Sequence, residues 1–104
     1  MTLLDKFYLA PKSLFQGKFE YLSCDAKILY IYLFQKMRES NEQGLVDEND
    51  NLYVEMTHAQ VEKVINAYYR KTANVLKEMV EYGVLEIVPL KKNTIMRLYI
   101  ANLC

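Results

Sequence analysis

Apolar positions along the chain fall into two periods, and these predict its elements. Leu22, Ala26, Leu29, Leu33 and Met37 recur three or four residues apart, the spacing of one helical face. They predict a first helix over residues 23–40. Ser23 is a good N-cap, and Asp25 sits in the first turn, where the helix dipole favours an anion. Ile28, Tyr30, Ile31, Tyr32 and Phe34 add apolar surface on the other sides. Such a helix should be covered from more than one direction, by the chain's own N-terminus or by a partner subunit. Upstream, Phe7-Tyr8-Leu9-Ala10, Pro11-Lys12 and Leu14-Phe15 predict an extended arm over residues 1–22, because proline interrupts a helix there.

Gln43-Gly44 should end the segment that follows the first helix. Leu45-Val46 and Leu52-Tyr53-Val54-Glu55 flank the turn formers Asp47-Glu48-Asn49-Asp50-Asn51, which predicts a β-hairpin over residues 45–55. Thr57 and Gln60 have the spacing of a capping box, with Met56 and Val61 placed as a hydrophobic staple. A short second helix over residues 57–65 follows. Asn66 is expected to cap a third helix over residues 66–82, stopped by a left-handed Gly83. Ile65, Tyr69, Thr72, Ala73, Leu76, Met79 and Val80 are expected on its core side. Residues 84–88 and 95–101 read as strands about a turn at residues 89–94.

Helix, turn, helix, glycine stop and hairpin, in that order, are the plan of a winged helix-turn-helix. The predicted fold class is α+β, mostly α: one domain with an N-terminal extended arm, three helices and a β-hairpin wing over residues 84–101. A chain of 104 residues holds one modest core.

The candidate chemistry lies on the outward face of the third helix. Ala67, Arg70, Lys71 and Asn74 fall opposite the predicted core stripe, with Lys77 toward its edge and Glu78 and Glu81 nearer the C-terminus. Bases early and acids late invert what the helix dipole favours, at about a few tenths of a kcal/mol per charge. A binding surface would explain the inversion, since a recognition helix enters the DNA major groove with its N-terminal half. Asn74 has the chemistry to pair with adenine and Arg70 with guanine. Lys91, Lys92 and Asn93 occupy the predicted wing turn, where lysines would grip phosphates; Arg97 and Lys63 could extend that patch. Each set alone is an ordinary solvated surface. Their coincidence on the two elements that a winged helix would use carries more weight than either.

Charge sharpens this reading. With 13 basic and 13 acidic residues the formal net charge is zero, so DNA binding requires the cations to gather on one face. Nine tyrosines against four phenylalanines suit half-buried packing with the hydroxyl at the rim, and some could reach phosphates. Nothing points to catalysis. His58 is the single histidine, three glycines leave little room for a phosphate loop, and no nucleophile motif occurs. Asp47, Asn49 and Asn51 alternate like calcium ligands, but Leu52 stands where glycine is required and His58 where glutamate is. No enzyme activity, cofactor, metal or small-molecule ligand is expected. The longest apolar run, 28–34, is far short of the roughly 20 residues that cross a bilayer. The N-terminus lacks a signal pattern, so no membrane association and a cytoplasmic location are expected. A disulfide between Cys24 and Cys104 is not.

The chain also resembles the amino-terminal domain of the plasmid replication initiator A family. The residues that carry the resemblance are Phe7, Pro11-Lys12, Leu14-Phe15, Tyr21, Leu22-Ser23, Asp25-Ala26-Lys27, Leu29-Tyr30, Met37, Ser40, Gly44, Asp47-Glu48 and Tyr53. Thr57, Lys71, Leu76, Glu78 and Gly83-Val84-Leu85 follow more loosely. The resemblance implies a winged helix that binds repeated double-stranded origin DNA and dimerises, with Arg70, Lys71 and Asn74 in the major groove and Lys91 and Lys92 on the wing. Two departures stand out. The wing turn lacks the family's glycines, and the sequence stops at Cys104 where initiators continue into a second domain, as a stand-alone relative or a fragment would. The alternative expectation is a winged-helix protein-interaction or transcription-regulatory module without replication activity.

Overall fold

Residues 11–43, 46–90 and 95–101 are described by a computed structural model of the chain, without the side chains of 18 and 40–43. The expectations placed on residues 1–10, Gly44, Lys91, Lys92, Asn93 and Cys104 lie outside these residues. Three helices pack on one three-stranded antiparallel sheet.

The described part of the expected extended arm is instead a pair of 3-10 turns, Lys12–Phe15 and Gly17–Tyr21. Pro11 begins the first turn rather than forbidding it. It has no N–H to lose there, and its carbonyl accepts from the Leu14 N–H at 3.2 Å. Gly17, at φ 65°, makes the left-handed step between the turns, and Leu14 is fully buried.

Helix α1 spans Cys24–Gln43, three residues beyond the predicted end, since nothing between Ser40 and Gly44 breaks a helix. Ser23 caps it as expected, its Oγ accepting from the Ala26 N–H at 3.2 Å. Tyr30 is fully buried, and its hydroxyl donates to the carbonyl of Ala101, which fastens α1 to the end of the sheet.

Among the described residues, the expected hairpin over residues 45–55 keeps one bridge, between Val46 and Leu52. The Asp47 carboxylate closes the turn by accepting from the N–H groups of Asn49 and Asn51, each at 2.9 Å. The second arm continues as strand β1, Val54–Thr57, and pairs elsewhere. Val54 and Met56 alternate into the core, and the strand lies antiparallel to β3, Ile95–Ile100, with Val54 opposite Leu98. On the other side of β3 lies β2, Leu85–Pro89, with Ile87 opposite Leu98. The sheet order is therefore β1-β3-β2.

Helix α2 spans His58–Ile65 and opens with the predicted capping box. The Gln60 N–H donates to Thr57 Oγ1 at 3.1 Å, and the Thr57 N–H donates to Gln60 Oε1 at 2.8 Å. Asn66 departs from expectation. It adopts φ 53° and ends α2 rather than beginning the next helix, its N–H and that of Ala67 both donating to the Glu62 carbonyl. Asparagine tolerates this left-handed cap. Helix α3 consequently starts three residues late, at Tyr69–Glu81. Gly83 stops it as predicted, at φ 75°, with the Val84 N–H donating to the Met79 carbonyl and the Gly83 N–H to that of Val80.

The core lies between helices and sheet and is centred on Leu14, Leu29, Leu33, Val61, Met79, Val84 and Leu98. The buried stripe of α3 is Thr72, Val75, Leu76 and Met79. It is narrower than the sequence implied: Tyr69 and Val80, expected inside, are exposed, and Ile65 is buried as the end of α2.

Candidate functional site

The buried stripe fixes which way the rest of α3 faces. At about 100° per residue, Arg70, Asn74, Lys77 and Glu81 lie diametrically opposite Thr72, Leu76 and Met79, and all four are exposed. Lys71 and Glu78, two turns apart, share a flank instead. That flank meets the start of α1. Lys71 Nζ lies 3.1 Å from Asp25 Oδ2, and the Glu78 carboxylate accepts from the N–H and the hydroxyl of Ser23 at 2.8 and 2.7 Å. Glu78 is thus a clamp between two helices and not, as the sequence suggested, the acidic end of the outward face. One flank of α3 locks it to the body of the protein and leaves the outward strip free.

Of the expected site residues, Arg70, Asn74 and Lys77 are brought onto one strip. No ion pair engages Arg70 or Lys77 among the described residues. Lys71 adjoins the strip with its charge shared with Asp25. Ala67 is set apart: it precedes α3 in the turn that Asn66 creates and packs half-buried against the core, so its expected position on the helix face is corrected. Lys91, Lys92 and Asn93 lie outside the described residues, between β2 and β3 in the chain; the Leu90 N–H before them donates to the Ile95 carbonyl at 3.1 Å. The two possible extensions go elsewhere. The Arg97 guanidinium lies 4.2 Å from the Tyr53 ring centroid and 3.7 Å from Glu55, and Lys63 lines a hollow with Tyr32, Lys36 and Glu55.

Two exposed aromatic side chains were not among the expected site residues. Tyr68 is 90% and Tyr69 67% exposed, at the N-cap and first position of α3. The Tyr69 ring is stacked on His58, centroids 4.1 Å apart and planes 25° apart. His58 Nδ1 is 2.8 Å from Glu62 Oε2. The two follow Asn66 and Ala67 in the chain, and no local pattern marks which side they face.

A second polar cluster joins β3 to the turn at residues 47–51. The Tyr99 hydroxyl donates to Asp47 Oδ2 at 2.9 Å. The Asn51 N–H bond to Asp47 holds its carboxyl below the ordinary 3.8. Desolvation, then the Asp47 bond, push the Tyr99 phenol above its ordinary 10.0. Asp47 is thereby occupied as a turn brace. Among the described residues no group of three acidic, histidine or cysteine side chains is arranged to hold a metal ion, and no helix is long and apolar enough to cross a membrane.

Comparisons with known proteins bear on the family and the fold. The family model described as "Replication initiator protein A (RepA) N-terminus" matches residues 6–104. A "41 kDa protein" of Lactobacillus helveticus is 27% identical over 83 residues, covering 79% of this chain and 24% of that protein; the chain spans about a quarter of its length. Among solved structures, one described as "Structure of MDR initiator" superposes with a TM-score of 0.79 at 26% identity, covering 100% of this chain and 86% of that one. One described as "Structure of Rep-DNA complex" has a TM-score of 0.79 at 24% identity, covering 98% of this chain and 82% of that one. The likeness to both is one of fold over nearly the whole of this chain.

Proposed function

This chain belongs to the replication initiator protein A N-terminus family, and from that membership we propose that it binds double-stranded DNA in a sequence-specific way at a replication origin. Helix α3 lies in the major groove, and the turn between β2 and β3 lies on the backbone. The observation that carries this reading is the outward strip of α3. Arg70, Asn74 and Lys77 stand exposed on one line while the opposite side is packed and one flank is clamped to α1. A helix held in this manner presents donors and acceptors to base edges with little freedom left to lose. The similar structure described as a Rep-DNA complex supports the same reading.

Arg70 suits guanine, Asn74 suits adenine, and Lys77, Lys91, Lys92 and Asn93 suit phosphates or base edges nearby. Binding is the whole task of the domain, without catalysis, in the cytoplasm. It acts as a dimer. An open apolar strip supports this: Ile28 is half exposed beside Ile31 and Tyr32 on α1 and Val64 on α2.

Titration of the purified chain with duplexes from an unbiased selection tests the function. Affinity should fall steeply with salt, by about 0.9 log unit per log unit of salt for each phosphate neutralised. A selection that enriches no sequence, with no salt response, would favour the protein-interaction alternative.

A further inference from the structure

The Tyr69–His58 stack joins the first residues of two successive helices. The ring is ordered by its partner but remains two-thirds exposed. Its hydroxyl makes no hydrogen bond among the described residues. Burial therefore does not explain the residue, and neither does helix capping, because Tyr68, not Tyr69, is the N-cap. An ordered ring with an unengaged hydroxyl is a pre-positioned donor: the rotamer freedom that binding would otherwise remove is already gone.

Resting on the DNA-binding reading above, we propose that Tyr69 is a phosphate-binding residue. Its hydroxyl donates to a backbone phosphate of duplex DNA at the edge of the groove that α3 enters, and His58 is the residue that positions it. The location selects phosphate over base. In a helix-turn-helix the first helix crosses the backbone while the second enters the groove. A side chain pinned from the second helix onto the opening residue of the first lies over the backbone side. The first turn of α3 carries no carboxylate to repel a phosphate. Glu62 is engaged by the His58 imidazole at 2.8 Å, which holds the platform under the Tyr69 ring. Tyr68, exposed and without a ring partner among the described residues, lacks this fixed geometry and is not assigned the role.

The test compares the full chain with Tyr69→Phe on its selected duplex and on a scrambled one. Tyr69→Phe keeps the stack and removes only the hydroxyl. The expected result is about tenfold weaker binding to both duplexes, as for a hydrogen bond to a charged group. The salt slope should not change, because a neutral donor releases no counterion. Replacing backbone phosphates one at a time by neutral methylphosphonate should reveal a position that weakens the parent chain and leaves Tyr69→Phe unaffected. For His58, the conservative His58→Phe retains a ring and should bind like the parent. His58→Ala should weaken binding, and it should add nothing in the Tyr69→Phe background. Equal affinities for the parent and Tyr69→Phe would overturn the proposal, as would a loss confined to the selected duplex. Additive losses from His58→Ala and Tyr69→Phe would overturn the positioning role. A parent chain that binds no duplex at all would instead overturn the DNA-binding reading, and this one with it.

Discussion

The backbone N–H and the hydroxyl of Ser23 both donate to the carboxylate of Glu78, 55 residues later in the chain. Ser23 caps α1 with the same hydroxyl that holds Glu78, so a local signal at one helix start also sets the pose of another helix. The bond pair fixes the rotation of α3 about its axis, and that rotation decides which residues can meet a ligand.

Glu78→Ala should therefore cost about 1 kcal/mol in urea unfolding, the lower range for a charge-assisted bond that is partly open to water. Ser23→Ala should cost a similar amount. The double variant should be less destabilised than the sum of the two, because each removes the same interaction. Strict additivity would mean that the pair is not coupled in solution.

Asp25 restrains a cation on the edge of the proposed interface. Its carboxylate lies 3.1 Å from Lys71 Nζ, which is itself well exposed. Asp25→Asn should raise DNA affinity at low salt and steepen the salt slope by up to about 0.9, as one more lysine becomes available to a phosphate. An unchanged slope would show that Lys71 does not reach DNA.

Asn74 and Lys92 should fail in different ways. Asn74→Ala is expected to alter which duplexes are enriched in a selection, with a cost of about 1–3 kcal/mol against the preferred site. Lys92→Ala should weaken binding to all duplexes alike and lower the salt slope by about 1. If both variants match the parent on every duplex, the surface has been assigned wrongly.

The Asp47–Tyr99 bond sets a pH window. The Asp47 carboxyl titrates below its ordinary 3.8 because the Asn51 N–H stabilises the anion. Its contribution is complete above 3.8 and is lost as pH falls through the depressed folded value. The Tyr99 phenol titrates above its ordinary 10.0, chiefly through desolvation. Its contribution is complete below 10.0 and is lost as pH rises through the raised folded value. In Tyr99→Phe the alkaline loss should vanish, and the Asp47 titration followed by NMR should move up toward 3.8. An Asp47 curve identical to the parent's would show that the hydroxyl does not sense the carboxylate.

Thr72 is fully buried on α3, and its Oγ1 has no hydrogen-bond partner among the described residues. Thr72→Val keeps the branched shape and removes a desolvated hydroxyl. It should stabilise the domain by about 1 kcal/mol in thermal or urea unfolding. Destabilisation would mean that the hydroxyl is satisfied in solution.

Local chemistry was legible wherever a signal and its partner lie within a few residues. The Ser23 cap, the Thr57–Gln60 box and the Gly83 stop all appear where the spacing puts them. Asn66 misled because asparagine serves both ends of a helix. Only the depth at which Ile65 and Val61 are buried fixes α2 so that Asn66 must close it. The expected 45–55 hairpin keeps only the Val46–Leu52 bridge among the described residues for a related reason: its second arm runs on into Val54 and Met56, which pair with the central strand β3.

From the sequence alone came three helices, a terminal β-hairpin, and the identity of Arg70, Asn74 and Lys77 as the polar side of the third helix. Period, caps and turn residues act through the nearest few positions, and those are written in order along the chain. Tertiary packing decided that β1 joins the sheet, that Glu78 clamps Ser23, that Asp25 holds Lys71, and that Tyr69 stands outside on His58. Each of those joins positions far apart in sequence or selects between two faces of one turn. Such choices depend on which surfaces exclude water together, and no local pattern encodes them.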